Sequence, residues 1–236
     1  MPQVSPVILF DLDGTLADTA PDLAATLNVV LAELGVEPIA VDDVRHMVGH
    51  GARRLIERRF EADGQRLDAA ELDRLTARFI AHYSDNIAVG SRPFPGVETA
   101  LGALKRGGSR LAVCTNKMEA LAVKLLRALD LDAHFDVIAG GDTFPVCKPD
   151  PGHLLLAVER AGGDPACAVM VGDSETDIRA ARAAGIPFIG VTFGYTPTPI
   201  ETFKPDALID HFDALIPALR PFLGRLDGPP EADGSA

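Results

Sequence analysis

The sequence predicts an α/β protein, with a doubly wound parallel (Rossmann-like) sheet core and an inserted all-helical cap domain. Three observations predict it. Over the second half of the chain, short apolar runs alternate with amphipathic helices, the rhythm of a parallel sheet covered on both faces. One further apolar run, Val7-Ile8-Leu9-Phe10, matches those runs but stands far ahead of them. Between it and the next run, helix signals follow one another with no strand pattern. At 236 residues and 47% hydrophobic, the chain can bury the core of one large or two small domains.

The run at 7–10 lies between Pro6 and a glycine turn at Gly14, and it reads as a buried strand. Thr19 and Pro21 open a helix to about Leu34, because proline suits a first helical turn, and Gly35 is placed to end it. Further helices are expected over 41–48, 52–60 and 69–86, the last with Leu72, Leu75, Phe79 and Ile80 on one face. Arg92-Pro93-Phe94-Pro95-Gly96 reads as a linker or hinge turn. Beyond it, helices are expected at 97–105, 119–129, 151–161 and 174–184. Strands are expected at 110–114, 135–139, 168–171, 187–191 and 207–209. A last helix covers 212–222, interrupted by Pro217. The Gly/Pro/Asp-rich tail is expected to be disordered. The core therefore comprises 1–18 and 92–224, the cap 19–91 and the tail 225–236. An insertion at the ligand end of a sheet suits a lid.

Acidic residues outnumber basic ones 34 to 22, a formal charge of −12. That excludes a nucleic-acid backbone or an anionic membrane as a general partner, but not a small phosphorylated substrate, because local charge decides that. Cys114, Cys147 and Cys167 have no zinc-site spacing, and their sparse, odd count fits a reducing compartment. The N-terminus lacks the basic and apolar regions of a signal peptide, and no run approaches a membrane span. The expected location is cytoplasmic; monomer and homodimer both stay open.

Polar residues sit where the apolar runs end. The first ends in Asp11 and Asp13, the second in Thr115-Asn116-Lys117, and the strand at 168–171 in Gly172-Asp173-Ser174-Glu175-Thr176-Asp177. Lys148 lies in a loop after the third. In a parallel sheet these ends share one edge, where ligands bind. Asp11, Asp13 and Asp173 are hard oxygen donors that suit Mg²⁺. Alone they repel a phosphate dianion, by roughly 8 kcal/mol at about 4 Å and an effective dielectric near 20. One cation and Lys148 reverse that sign. One aspartate can then attack phosphorus while another handles the proton.

The segment PVILFDLDGTLADT, followed by VCTN, KPDP and VMVGDSETDI in that order, resembles the haloacid dehalogenase superfamily of phosphatases over about residues 6–220. The resemblance implies that Asp11 is the nucleophile, forming an aspartyl-phosphate, and that Asp13 is the general acid/base and binds Mg²⁺ through its backbone carbonyl. It implies that Thr115, with Asn116, binds the phosphoryl group and that Lys148 stabilises Asp11 and the phosphoryl charge. Asp173 would ligate Mg²⁺, and Asp177 would support the metal or its waters. Within the superfamily, the TNK after the second strand, Gly140-Gly141-Asp142-Thr143 and Gly49-His50-Gly51-Ala52-Arg53-Arg54-Leu55 resemble the phosphoglycolate phosphatase subgroup, which implies 2-phosphoglycolate as substrate.

Some residues admit a structural reading beside the functional one. Asp177 can cap the helix that Ser174 opens, and Asp18 reads as a helix-start residue. Arg53 and Arg54 are either a solvated helix face or, with His50, the grip on a substrate carboxylate. His46, His82 and His153 read as ordinary helix residues, and Cys114 as a buried inert thiol. Three rivals share the motifs. A β-phosphoglucomutase-like mutase differs in its cap, a dehalogenase has no use for Asp13 and Asp173, and a non-enzymatic relative is expected to lose a catalytic group, whereas none is missing here.

Overall fold

The computed structural model describes residues 5–223. The chain begins with β1 (Val7–Phe10), all four residues buried, and turns into the two-residue β2 (Ala17–Asp18). Four helices follow: α1 (Ala20–Glu33), α2 (Val41–Arg45), α3 (Gly51–Ala62) and α4 (Ala69–Asp85). The chain returns through β3 (Arg92–Pro93) and then alternates: α5 (Val97–Arg106), β4 (Arg110–Cys114), α6 (Glu119–Ala128), β5 (Val137–Ala139), α7 (Pro151–Arg160), β6 (Ala168–Gly172), α8 (Glu175–Ala184), β7 (Phe188–Val191), β8 (Ala207–Ile209) and α9 (Leu215–Leu223).

Six strands form one sheet in the order β5-β4-β1-β6-β7-β8, every pair parallel. Counted among themselves they run 3-2-1-4-5-6, the doubly wound order, in which the chain steps outward from β1 on one side and returns to start again on the other. The switch point lies beside β1. Alternation along β1 splits the interior: Ile8 and Phe10 face one apolar cluster, Val7 and Leu9 the other. The first cluster takes α5, α6 and α9 together with the inward faces of α1, α3 and α4, including Leu27, Ile56 and Phe79; the second takes α7 and α8.

Three expectations are corrected. The linker at 92–96 is half strand: Arg92 and Pro93 pair antiparallel with Asp18 and Ala17, so the two chain crossings to α1–α4 are tied into one ribbon. Two-residue strands carry no periodicity for a sequence to display. Pro217 does not interrupt the last helix, because it is the third residue of α9, where the backbone N–H has no helical partner to lose. The helix expected over 41–48 ends early, at Arg45, and its last residues turn instead through Gly49, at φ +107°, into α3. The tail expected to be disordered lies outside the described residues. Among those residues, no helix is long and apolar enough to cross a membrane.

Candidate active site

β1 delivers Asp11 to the switch point, 5% exposed, and the turn after it passes through Gly14 at φ +83°. A side chain at Gly14 would meet Asp173 Oδ2 at 2.6 Å and the Tyr195 ring at 2.9 Å, so only glycine lets the loops close here. The loop between β5 and α7 brings Lys148 under Asp11. Its ammonium lies 2.8 Å from Asp11 Oδ1 and 2.6 Å from Asp177 Oδ1, nearly without solvent contact. Burial works against the lysine's charge, but Asp11 and Asp177 outweigh it and hold the ammonium above its ordinary value. For Asp11 burial wins: its carboxyl is pushed up to about 7 despite Lys148, helped by the charges of Asp177 and Asp13.

β6 delivers Asp173, which accepts from Thr15 Oγ1 at 2.9 Å and from the Tyr195 backbone N–H at 2.7 Å. Burial, then the charges of Asp11 and Asp177, hold its carboxyl well above the usual range. Asp177 closes a capping box on α8: its Oδ2 accepts from Ser174 N at 3.0 Å and Ser174 Oγ at 2.6 Å, while its Oδ1 holds Lys148. Capping and site support are thus one arrangement.

Side-chain oxygens of Asp11, Asp173 and Asp177 gather within 4.8 Å of one another, all buried. The donors are hard oxygens, and Lys148 alone touches Asp11 and Asp177 without offsetting the whole charge, as the raised carboxyls of Asp11 and Asp173 register. Such a set fits a small divalent cation. Asp177 is held by the Lys148 ammonium and by two bonds from Ser174, whereas each oxygen of Asp173 accepts a single neutral donor and Asp11 meets Lys148 through Oδ1 alone, so Asp11 and Asp173 are the better placed side-chain ligands. The side chain of Asp13 is not part of this trio. It accepts from Thr19 Oγ1 at 2.6 Å and faces Lys117 Nζ at 3.1 Å, both through Oδ1.

β4 delivers Thr115, buried, whose Oγ1 accepts from Lys117 N–H at 3.1 Å and shapes the turn. Asn116 Nδ2 donates to Lys148 O and to Gly49 O, both at 3.0 Å, so one amide ties the β4 end to the lysine loop and to the loop before α3. Gly140 and Gly141 let these loops stack; a side chain on Gly140 would lie 2.2 Å from Glu119 N. Cys114, just before Thr115, is buried, and burial pushes its thiol up to about 12, as befits an inert core residue.

Two cavities open on this edge, of about 240 and 230 Å³, and both are lined by Asp11, Asp13 and His50. The first has Thr115, Asn116 and Lys117 on the sheet side and Leu23, Phe79, Ile80 and Arg53 on the helical side. Arg53 is already engaged, by Asp73 of α4 and by Glu57 at 3.8 Å. Arg54 lines neither cavity and pairs with Glu57 and Glu61 on the outer face of α3. The second cavity has Asp173, Glu175 and Tyr195 on one side and His46, His50 and Arg58 on the other. His82 and His153 stay structural, against Thr26 and edge-on to Phe144.

Sequence reasoning passed over four contributors. Lys117 is buried between Asp13 and the hydroxyl of Tyr83, to which it donates at 3.0 Å; its place in the TNK run was the available signal. Thr15 holds Asp173, and Thr19, expected only to open α1, holds Asp13. Tyr195 had no signal at all. Its hydroxyl accepts from Thr19 N at 2.6 Å and Ala20 N at 3.0 Å, capping α1, and donates to Asp18. That leaves Thr19 free to hold Asp13, and Asp18 pairs with Arg45 at 2.9 Å.

The family model described as haloacid dehalogenase-like hydrolase matches residues 8–191. A phosphoglycolate phosphatase of Agrobacterium fabrum is 51% identical over 216 residues, covering 92% of this chain and 93% of that protein. One from Mesorhizobium japonicum is 52% identical over 225 residues, covering 94% and 98%. The crystal structure of a predicted phosphoglycolate phosphatase from Haemophilus somnus superposes with a TM-score of 0.84 at 32% identity, covering 92% of this chain and 99% of that one.

Proposed function

The chain belongs to the haloacid dehalogenase-like hydrolase family, and from that premise we propose a Mg²⁺-dependent phosphatase that converts 2-phosphoglycolate to glycolate and phosphate. The observation that carries the reading is the meeting of Asp11, Asp173 and Lys148 at the switch point, under cavities walled by α1, α3 and α4. The names of the half-identical relatives support the substrate.

Each residue then has a task. Asp11, one oxygen held by Lys148, attacks phosphorus and becomes the aspartyl-phosphate as the P–O bond to the glycolate oxygen breaks. Asp13, held by Thr19 and Lys117, gives that oxygen its proton. It then takes a proton from the water that attacks the phosphorus of the aspartyl-phosphate and frees Asp11. Thr115 binds the phosphoryl oxygens through its hydroxyl and Lys148 offsets their charge; Asn116, whose two amide hydrogens go to Gly49 O and Lys148 O, has only its backbone N–H to offer them and otherwise holds the lysine loop in place. Mg²⁺, held by Asp11, Asp173 and the Asp13 carbonyl, would neutralise the remaining negative charge. The helices α1–α4, entered and left through the β2–β3 ribbon, act as the cap that excludes water.

The test is phosphate release over a panel of monoesters with Mg²⁺, with and without a chelator. We expect 2-phosphoglycolate to give the highest kcat/KM, and chelation to remove turnover. A higher value for a sugar phosphate, nucleotide or pyrophosphate would overturn the substrate. Conversion of β-glucose 1-phosphate to glucose 6-phosphate would make the enzyme a mutase.

A further inference from the structure

The second cavity has two electrically different walls. The sheet side carries Asp11, Asp13 and Asp173; the helical side carries His46, His50 and Arg58. Among these, Arg58 is the unusual one. Arg45, Arg53, Arg54 and Arg59 each meet a carboxylate within 4 Å, whereas Arg58 meets none among the described residues. Its one hydrogen bond is from Nη1 to Met47 O at 3.1 Å. It is also half-buried.

A guanidinium taken partly out of water with no counter-ion costs free energy, and a bound anion recovers it. Burial and the neighbouring Arg54 do in fact hold Arg58 below its ordinary value. The charge of Glu61 does reach Arg58, but that carboxylate is already paired with Arg54 at 2.8 Å. His50 lies close enough for Arg58 to lower its pKa, after burial, and a neutral imidazole can still donate one N–H.

We propose that Arg58, assisted by His50, is the specificity-determining residue that grips the substrate's carboxylate, in place of Arg53 or Arg54. The assignment rests on the phosphatase reading above and refines it. Asp11 and Arg58 line the same cavity, and the carboxyl carbon of 2-phosphoglycolate lies only two bonds beyond the bridging oxygen. A neutral alkyl group there would leave the guanidinium without its partner, so the wall selects small phosphate esters that carry a second negative group. Arginine's planar fork suits a carboxylate in two parallel hydrogen bonds, which lysine cannot reproduce.

The experiment compares kcat/KM for 2-phosphoglycolate and for ethyl phosphate, in the native chain and in Arg58→Ala, Arg58→Lys and Arg53→Ala. Ethyl phosphate keeps the phosphoryl group and lacks the carboxylate, so it reports folding and chemistry within the same protein. Arg58→Ala should lose at least about 30-fold on 2-phosphoglycolate and stay within about threefold on ethyl phosphate. Arg58→Lys should recover part of the loss, and inhibition by glycolate should weaken in parallel. Equal losses on both esters, no loss on either, or a collapse of the preference in Arg53→Ala instead would overturn the assignment while leaving the phosphoglycolate reading intact. A native enzyme that handles both esters equally well would overturn both.

Discussion

Asp11→Asn should remove turnover, by about 10⁴-fold or more in kcat, while leaving the fold intact. The variant keeps the shape of the side chain and an oxygen that still accepts from Lys148, but it has no lone pair basic enough to attack phosphorus. A second effect follows from burial. The carboxyl of Asp11 is raised to about 7 in the folded protein. Between the ordinary carboxylate range and that value the folded state holds a proton the unfolded chain has released. Stability of the metal-free protein therefore falls as pH rises through this window. Asparagine removes that cost. The variant should be more stable than the native chain at pH 8 in metal-free buffer, and the gain should fade as pH drops toward the ordinary carboxylate range. Urea unfolding at the two pH values measures it. An inactive variant that is also less stable at pH 8 would mean the charge of Asp11 is favourable where it sits, contrary to the site described above.

Lys148→Met should act in the opposite direction on stability. It leaves Asp11 and Asp177 buried without the ammonium that lies 2.8 and 2.6 Å from them. Removing one partner of a buried ion pair is costly because the other charge stays behind, typically about 3–5 kcal/mol. We expect a loss of that size at pH 8 in metal-free urea unfolding, smaller at pH 5 where Asp11, raised to about 7, holds a proton. Turnover should fall by roughly 10²–10³, the scale of losing one preorganised charge at a developing oxyanion. A variant that unfolds like the native chain would show that the pair contributes no net stability, and its activity loss would then be purely catalytic.

Much of this site was legible because its residues interrupt local rules. Two aspartates at the end of a four-residue buried strand have no packing reason to be there, nor has Asp173 at the end of β6. Parallel topology alone brings those ends to one edge. Strand bounds at 110–114 and 207–209 were read to the residue, because apolar runs that short are bounded by turn residues on both sides. What stayed hidden was tertiary. Tyr195 reaches across 176 residues of sequence to cap α1, and Lys117 meets Tyr83 and Asp13 from three separate segments. No spacing rule connects such positions. The arginines show the same limit: the run Arg53-Arg54 drew attention by its neighbours, yet α3 turns Arg54 to the outer face with Glu57 and Glu61, while Arg58 reaches the second cavity. Helical phase relative to a pocket is set by packing, and packing is not written in a two-residue run.

The central claim is that Asp11 carries the phosphoryl group. It is tested most directly by quenching the enzyme during turnover of 2-phosphoglycolate with Mg²⁺ and reducing it with borohydride, which converts an acyl phosphate to homoserine. Peptide mass spectrometry should then find homoserine in place of Asp11, dependent on substrate. An unmodified Asp11 with the label at another carboxylate, or substrate-independent reduction, would contradict the account.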